Sequence, residues 1–169
     1  MESSTSLYNQ PQSLTLEQPA SVTALLTDLL QRDTYNKFCI DCNRNESTHA
    51  NITFGTFICG DCAKIHINNI GTDKHYIKTI FGDTWDTYQV KIIQAGGNKR
   101  LWDFFKQYNG LEQKLIQNKY DSAAAKYYKK KLASEVNNIA FEEKEPAKNA
   151  EELLDRGLDK SKELASKAG

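Results

Sequence analysis

The sequence has no excess of either charge and no long apolar run. Lys and Arg together number 22, and Asp and Glu also number 22. A balanced chain carries no overall basic field to attract a nucleic acid and no acidic field to repel one. No apolar stretch approaches the roughly 20 residues that span a bilayer. Residues 1–19 also lack the basic start and apolar core of a secretory signal. These absences predict an intracellular chain without a transmembrane segment.

Cysteine is scarce, and all four cysteines fall into one pattern. They form two Cys-x2-Cys pairs with sixteen residues between them: Cys39, Cys42, Cys59 and Cys62. Two residues between paired cysteines let both thiolates of a tight turn face one cation, and two such turns supply the four sulfurs of a closed zinc site. A disulfide framework is the alternative, disfavoured because nothing marks the chain as secreted. The pattern predicts one structural Zn²⁺ ion held by these four residues.

The chain divides into three segments by composition. Residues 1–20 are rich in Ser, Thr and Gln, which predicts an extended or disordered arm. Residues 21–138 contain the cysteines and most of the apolar side chains, and they are predicted to form the zinc-finger domain. Residues 139–169 form a charged extension with a thin stripe of leucines. That stripe predicts a helix that would be marginal alone and needs a surface to lie on.

Hydrophobic periodicity predicts an α+β domain that is mostly helical, with a small sheet. A first helix is predicted from an N-cap at Ser21 to Asp33, and short strands are predicted around Gly55. Further along, the predicted elements are a helix from Ala63 to about Asn69, a strand over Tyr76 to Ile80, and helices over Trp85 to Ala95, Asn98 to Tyr108 and Ser122 to about Asn137. The aromatic residues predicted to lie in the core are Trp85, Trp102, Phe104 and Phe105.

The sequence contains no motif of a nucleophilic or phosphate-binding catalytic site. Gly96-Gly97 is not followed by the Lys-Ser/Thr of a P-loop, so it is predicted to end a helix. His49, His66 and His75 are candidates for metal or acid–base roles. Because four cysteines already complete a tetrahedral site, we interpret these histidines as surface or packing residues.

A run of lysines is the remaining candidate site. Lys126, Lys129, Lys130 and Lys131 are interleaved with Tyr127 and Tyr128. Such a run can contact phosphate or anionic lipid, but on a neutral chain it more often forms a solvated helix face. The solvated face is therefore the preferred interpretation, and binding of a nucleic acid is disfavoured.

Several motifs resemble those of the Arf GTPase-activating protein (Arf GAP) domain over about residues 25–135. Besides the cysteine spacing, these are Phe54-Gly55-x-Phe57-Ile58-Cys59, the turn Ala95-Gly96-Gly97-Asn98, and the aromatic segment Trp102 to Phe105. The resemblance implies a four-cysteine zinc finger on a small central β-sheet surrounded by α-helices.

The resemblance also implies a catalytic residue that this chain lacks. In that family an arginine five residues beyond the last zinc cysteine acts as an arginine finger on the nucleotide's phosphates, and here that position is Ile67. Such a finger contributes roughly 10³ to 10⁵ in rate, and isoleucine has neither charge nor donor. Lys64 is an alternative cation but lacks the planar fork of arginine.

Three further departures fall on the surface that would face the GTPase. His49 replaces a family tryptophan, the segment 69–75 contains one extra residue, and Lys78 replaces a second arginine. The metal ligands and core aromatics are retained, so the pattern is typical of a scaffold without its active site.

Three functional hypotheses follow. The first is a non-catalytic zinc domain that acts as a structural or protein-interaction module, including as a subunit of a larger assembly. The second is an active or weak activator of an Arf-type small GTPase in vesicle traffic, and the third is a zinc-dependent nucleic-acid binder. The predicted partners are proteins, either a multi-subunit complex or a small GTPase. The cytoplasm is the expected location, with mitochondrial and cytoskeletal assemblies as alternatives.

Overall fold

The computed structural model describes residues 19–167, so the predicted arm lies outside the described residues except for its last two. The α-helices are α1 (Ala20–Arg32), α2 (Thr34–Lys37), α3 (Gly60–Ile65), α4 (Thr87–Ala95), α5 (Asn98–Lys106), α6 (Ile116–Tyr120), α7 (Ala123–Val136) and α8 (Ala150–Lys167). The strands are β1 (His49–Asn51), β2 (Thr56–Ile58) and β3 (Ile77–Thr79). A π-helical segment, His66–Ile70, continues α3, and Leu111–Gln113 forms a 3₁₀ turn. The predicted α+β, mostly helical fold class is confirmed.

The three strands form one antiparallel sheet with β1 at its centre. The order is β2-β1-β3, and His49 pairs with Ile58 on one side and with Thr79 on the other. All of β2 is buried, and Ala50 in β1 is fully buried, because helices cover the sheet. Apolar side chains from the sheet and its turn pack in one core against side chains from α1, α4, α5 and α7. These side chains include Leu26, Phe54, Phe57, Ile92, Leu101, Phe105 and Leu132.

Two glycine turns meet at the centre of the domain. Gly55, at φ +63°, lies between β1 and β2, and its carbonyl accepts a 2.7 Å hydrogen bond from the Gly97 N–H. A Cβ on Gly55 would lie 2.6 Å from the Ile92 carbonyl oxygen, and one on Gly96 would lie 2.7 Å from the Gly55 carbonyl oxygen. Only glycine permits this approach, which places the α4–α5 turn directly against the sheet.

Asn98 also holds the α4–α5 turn against the chain that leads into Cys39 and Cys42, the first zinc pair. Its Nδ2 donates to the carbonyls of Tyr35, Phe38 and Phe57, at 2.8 to 3.0 Å. Its Oδ1 accepts from the Phe57 N–H at 2.7 Å, so one buried amide shares its two N–H hydrogens among three backbone carbonyls and accepts from one backbone donor. Asn98 therefore joins the start of α5, the chain before the first zinc pair, and β2.

Three predicted helix starts differ from the structure. One is that of α3, which begins at Gly60 and not at Ala63. The first helix begins at Ala20 with Pro19 in the N-cap position, so Ser21 lies inside the helix and the predicted Ser21 cap is wrong. Proline fixes its own φ and suits a helix start. Trp85 lies before α4, which begins after a capping box formed by Asp86 and Gln89. The Trp85 side chain is buried, and its indole N–H donates to the Ile80 carbonyl at 3.2 Å.

Helix α8 lies largely apart from the rest of the described chain. None of its residues is buried, and its leucines, from Leu153 to Leu164, are 60% to 69% exposed. Arg156 Nη1 in α8 donates to the Glu145 carbonyl at 2.6 Å, and the Tyr108 hydroxyl donates to the Pro146 carbonyl at 3.0 Å. None of the helices within residues 19–167 is both long enough and apolar enough to cross a bilayer.

Candidate metal centre and adjoining surface

The four cysteines converge from two short turns. Cys39 and Cys42 lie in the turn closed by an isolated β-bridge between Phe38 and Glu46, and Cys59 and Cys62 lie at the start of α3. Cys59 is the N-cap of that helix, and its Sγ accepts the Cys62 N–H at 3.4 Å. This cap explains the Cys-x2-Cys spacing, because the first turn of the helix returns the second sulfur to the side of the first.

The arrangement of the sulfurs fits a single zinc ion. The four Sγ atoms all lie within 4.8 Å of one another, and the Cys42 and Cys59 sulfurs are 3.8 Å apart. Tetrahedral coordination with Zn–S bonds of about 2.3 Å separates each pair of sulfurs by about 3.8 Å. A four-sulfur set with no open position is the donor set of a structural zinc site.

The surroundings of the sulfurs explain why a cation is needed. Burial raises the pKa of the Cys59 thiol, and a hydrogen bond to Cys39 raises the pKa of Cys62. The same hydrogen bond lowers the pKa of Cys39 to about 5. Zinc binds thiolates, so the ion offsets the cost of ionising Cys59 and Cys62. Asn45 Nδ2 also donates a hydrogen bond to the Cys59 sulfur at 3.6 Å, which helps to orient this ligand.

A buried carboxylate lies between the first two zinc cysteines. The Asp41 side chain is completely buried. Its Oδ1 accepts from Lys119 Nζ at 3.0 Å and from the Tyr120 hydroxyl at 2.8 Å, and its Oδ2 lies 2.7 Å from His66 Nε2. Burial alone would raise the pKa of Asp41. The hydrogen bond from His66 and the charge of Lys119 outweigh burial and lower that pKa to about 2. An ionised Asp41 therefore ties the first zinc pair to α6 and to the π-helical segment.

The network continues from His66 to His75. Asn51 Oδ1 accepts the Thr53 N–H at 3.1 Å, which leaves Asn51 Nδ2 to donate to His75 Nδ1, also at 3.1 Å. Because His75 Nδ1 accepts that bond, His66 Nδ1, at 2.8 Å, is assigned as a second donor to it. His66 thus joins the Asp41 carboxylate on one side of its ring to His75 on the other.

The histidines thus divide by location. His66 and His75 are buried in this network, whereas His49 is half-buried in β1, where its ring meets the Thr48 hydroxyl at 2.8 Å. Sequence patterns identified neither Asp41 nor Lys119 as important. The only signal was the position of Asp41 between two zinc cysteines, since Lys119 comes from a helix too short to show a period.

Two positions that depart from the family pattern, 67 and 78, and the alternative cation Lys64 have different surroundings. Ile67 is in the π-helical segment and 40% exposed, and Lys64 is also exposed, three residues earlier on the same helical stretch. Lys78 is engaged within the domain: its ammonium donates to the Thr84 carbonyl and to Gln89 Oε1. The cation at position 78 is therefore turned toward α4 and its preceding loop.

The fold and the four-sulfur centre together define a small zinc-finger domain, and comparison with known proteins identifies its family. A family model described as a putative GTPase activating protein for Arf matches residues 23–137. The match covers more than half of the chain, so the chain belongs to the Arf GAP family.

Individual relatives agree with this assignment. The ADP-ribosylation factor GTPase-activating protein GCS1 of Saccharomyces cerevisiae is 35% identical over 119 residues, which are 69% of this chain and 33% of that protein. The ADP-ribosylation factor GTPase-activating protein 3 of Macaca fascicularis is 35% identical over 100 residues, 59% of this chain and 19% of that protein. The chain therefore corresponds to a third or less of the length of these relatives.

A solved structure shows the same fold. The crystal structure of a putative GTPase activating protein for ADP ribosylation factor from Cryptosporidium parvum superposes with a TM-score of 0.58 and 26% identity. The superposition covers 68% of this chain and 93% of that one.

Proposed function

We propose that this domain is a non-catalytic Arf GAP-like module that recognises protein surfaces, with zinc held by Cys39, Cys42, Cys59 and Cys62 for stability. The observation that carries the proposal is Ile67, an exposed apolar side chain at the position that the family resemblance assigns to the arginine finger. An isoleucine supplies neither charge nor donor to a developing phosphate charge. The module is proposed to occupy residues 21–138, flanked by an arm and a charged extension.

Two neighbouring features support the loss of catalysis. Lys78, at the second family arginine, is held by the Thr84 carbonyl and Gln89 and is not directed at a partner. The π-helical segment ends at Gly71, at φ +109°, where the loop with the extra residue begins. Both differences alter the surface that would face a GTPase, while the zinc cysteines and the Asp41 network keep the scaffold.

The test is single-turnover GTP hydrolysis by an Arf-type GTPase, with and without this protein. We expect the native domain to give no more than a few-fold stimulation, because a missing finger removes roughly 10³ to 10⁵ in rate. Ile67→Arg should restore part of that rate, whereas Ile67→Gln, which adds a polar group without a charge, should not. Stimulation of several hundredfold by the native domain would contradict the proposal.

A working or weak GTPase activator is the second candidate, favoured by the relatives that carry that activity in their names. Lys64 is the residue that would supply the charge, since it is exposed and precedes Ile67 by about one helical turn. In the same assay, a stimulation that Lys64→Gln abolishes would establish this alternative.

We propose that the partners of this domain are proteins. A family member without its finger is suited to protein contacts in a larger assembly, in the cytoplasm or in a mitochondrial or cytoskeletal complex. Native co-purification would identify a stoichiometric partner.

A further inference from the structure

Lysines from two separate elements line one cavity, and neither the metal centre nor the proposed function accounts for it. Lys126, Lys129 and Lys130 occupy positions i, i+3 and i+4 of α7, which places them on one helix face. Lys74, from the loop before β3, lines the same cavity, whose volume is about 610 Å³. We call this the lysine cavity. Lys131 lies on another face of α7, over the Tyr127 ring, and lines a different cavity.

The positive charge of the lysine cavity is only partly neutralised. Asp121 also lines it, 3.5 Å from Lys126 Nζ, and Glu143 pairs with Lys130 at 3.0 Å. Within residues 19–167, neither Lys74 nor Lys129 forms an ion pair with an acidic side chain. Like charges at these helix spacings repel, so the arrangement favours a counter-anion between the lysines.

The polar side chains and the volume of the lysine cavity also suit a small anion. Three side-chain amides, from Asn69, Gln117 and Asn118, line the cavity and can donate N–H groups to anion oxygens. Its volume falls in the usual range of small-molecule sites, about 300 to 1,000 Å³. An adjoining cavity of about 550 Å³ shares Lys74, Lys129 and Lys130, but Asp73 and Asp86 also line it, so the excess of charge belongs to the lysine cavity.

The field of these lysines acts on His75, which also lines the cavity. Burial, followed by the charge of His66 and then of Lys129, lowers the pKa of His75 to about 3. Lys74 acts in the same direction, and Asp41 opposes them. The ammonium groups of two elements thus act on one residue that lines the cavity.

We propose that the lysine cavity binds a small phosphate-bearing anion, a phosphomonoester or a diphosphate. Ammonium groups are compact charges with three donors each, and they are frequent ligands of phosphate. A phosphomonoester carries about −1.5 to −2 charges at pH 7, which matches the two unpaired lysines better than a single carboxylate does. The site is independent of catalysis and of zinc chemistry.

The test is calorimetric titration of the zinc-loaded chain with inorganic pyrophosphate at moderate salt. We expect saturable 1:1 binding that Lys129→Gln weakens about tenfold and Lys74→Gln weakens similarly, because each removes a charge-assisted contact. Lys131→Gln is the matched control: it removes the same charge two residues away on α7 and should change affinity less than about twofold, since it lies outside the cavity. Circular dichroism and zinc content establish that the variants are folded.

Two further arms identify the source of the phosphate. Flotation with phosphatidylcholine vesicles that contain phosphatidate, competed by pyrophosphate and lost in Lys129→Gln, would assign the site to a lipid headgroup. Pyrophosphate binding without vesicle binding would assign it to a soluble phosphate. The proposal is overturned if pyrophosphate does not saturate, if Lys131→Gln weakens binding as much as Lys129→Gln, or if only a polyglutamate peptide binds in a Lys129-dependent way.

Discussion

At the scale of single residues, buried polar side chains determine how the zinc pairs are fixed in the domain. Asp41 receives hydrogen bonds from Lys119 and Tyr120 and pairs with His66, although it is completely buried. A buried charge is tolerated only when it is paired and hydrogen-bonded, and this network meets both conditions. Ile67, at the position that the family resemblance assigns to the arginine finger, lies one position after His66, a member of this network. The backbone beside position 67 is therefore tied to the network through His66.

Asn98→Ala should strongly destabilise the domain. The substitution removes the side-chain donor to the carbonyls of Tyr35 and Phe38 and the acceptor of the buried Phe57 N–H, whereas the Phe57 carbonyl keeps a bond from the Ile40 N–H. Each unsatisfied buried group costs about 1 to 3 kcal/mol, so we expect the free energy of unfolding to fall by at least about 3 kcal/mol after partial relaxation. Urea unfolding with saturating zinc measures this change. Asn68→Ala, at an exposed position, should change the free energy of unfolding by less than about 0.5 kcal/mol; equal effects would contradict the role of Asn98.

His75 should make the domain less stable in mild acid. Its pKa is about 3 in the folded chain, lowered from 6.5 chiefly by burial, so between these values the unfolded chain binds the additional proton. Stability therefore rises with pH across this window, and lowering the pH from 7 to 5 should cost about 2 kcal/mol through this group. His75→Asn, which keeps an acceptor near the Nδ1 position, should reduce the pH dependence of unfolding by about that amount.

The measurement is urea unfolding of both proteins at pH 7 and pH 5 with the same excess of zinc. Proton competition for the zinc thiolates affects both chains alike, so the difference between their pH slopes isolates His75. Identical slopes would show that His75 is protonated equally in the folded and unfolded chains.

At the scale of elements, sequence patterns predicted the longer helices but not the short helices or the contacts between residues far apart in the chain. The helices over Ala20–Arg32 and Ala123–Val136 were predicted because each contains several turns of apolar periodicity. Helices α2 and α6 have four and five residues, too few for a period, and so were missed. The convergence of Asp41, His66 and Lys119 joins residues up to 78 apart in the chain, and no local pattern marks it.

The same distinction applies to the candidate sites. The zinc cysteines were predictable because a metal-binding turn has a fixed spacing. The lysine run was visible in the sequence, but its separation into Lys126, Lys129 and Lys130 on one side and Lys131 on the other depends on which helix face is buried. Lys74, which completes the cavity, comes from another element, and its approach depends on the fold.

The packing of the α4–α5 turn on the sheet turn can be tested with two glycines. Gly55 and Gly110 both have positive φ, +63° and +76°, but a Cβ on Gly55 meets backbone at 2.6 Å and one on Gly110 meets nothing within 4 Å. Gly110→Ala should therefore cost only the conformational penalty, about 1 kcal/mol. Gly55→Ala adds the displacement of α4 and should cost about 3 kcal/mol or more. Urea unfolding separates the two outcomes, and similar losses would show that the close approach is unimportant.

At the scale of the whole molecule, the sheet is too small to be stable without the metal. Each of its strands has three residues, and small sheets need packing or other constraints to persist. The zinc cysteines join the chain before β1 to the end of β2 and the start of α3, so one ion links three elements. Helix α8, by contrast, buries no residue and adds little to this core.

Removing the metal should therefore unfold the core cooperatively. We expect a strong chelator and Cys59→Ser each to abolish the cooperative unfolding transition that circular dichroism records. The reason is that zinc-binding free energy is folding free energy in a domain of this kind. Asn45→Ala is the graded control: it removes only the donor to the Cys59 sulfur, so the chain should remain folded with zinc affinity weakened about tenfold. Zinc release followed with a colorimetric chelator, alongside circular dichroism, measures both quantities. A chain that keeps its unfolding transition with no metal bound would refute the structural role of the zinc.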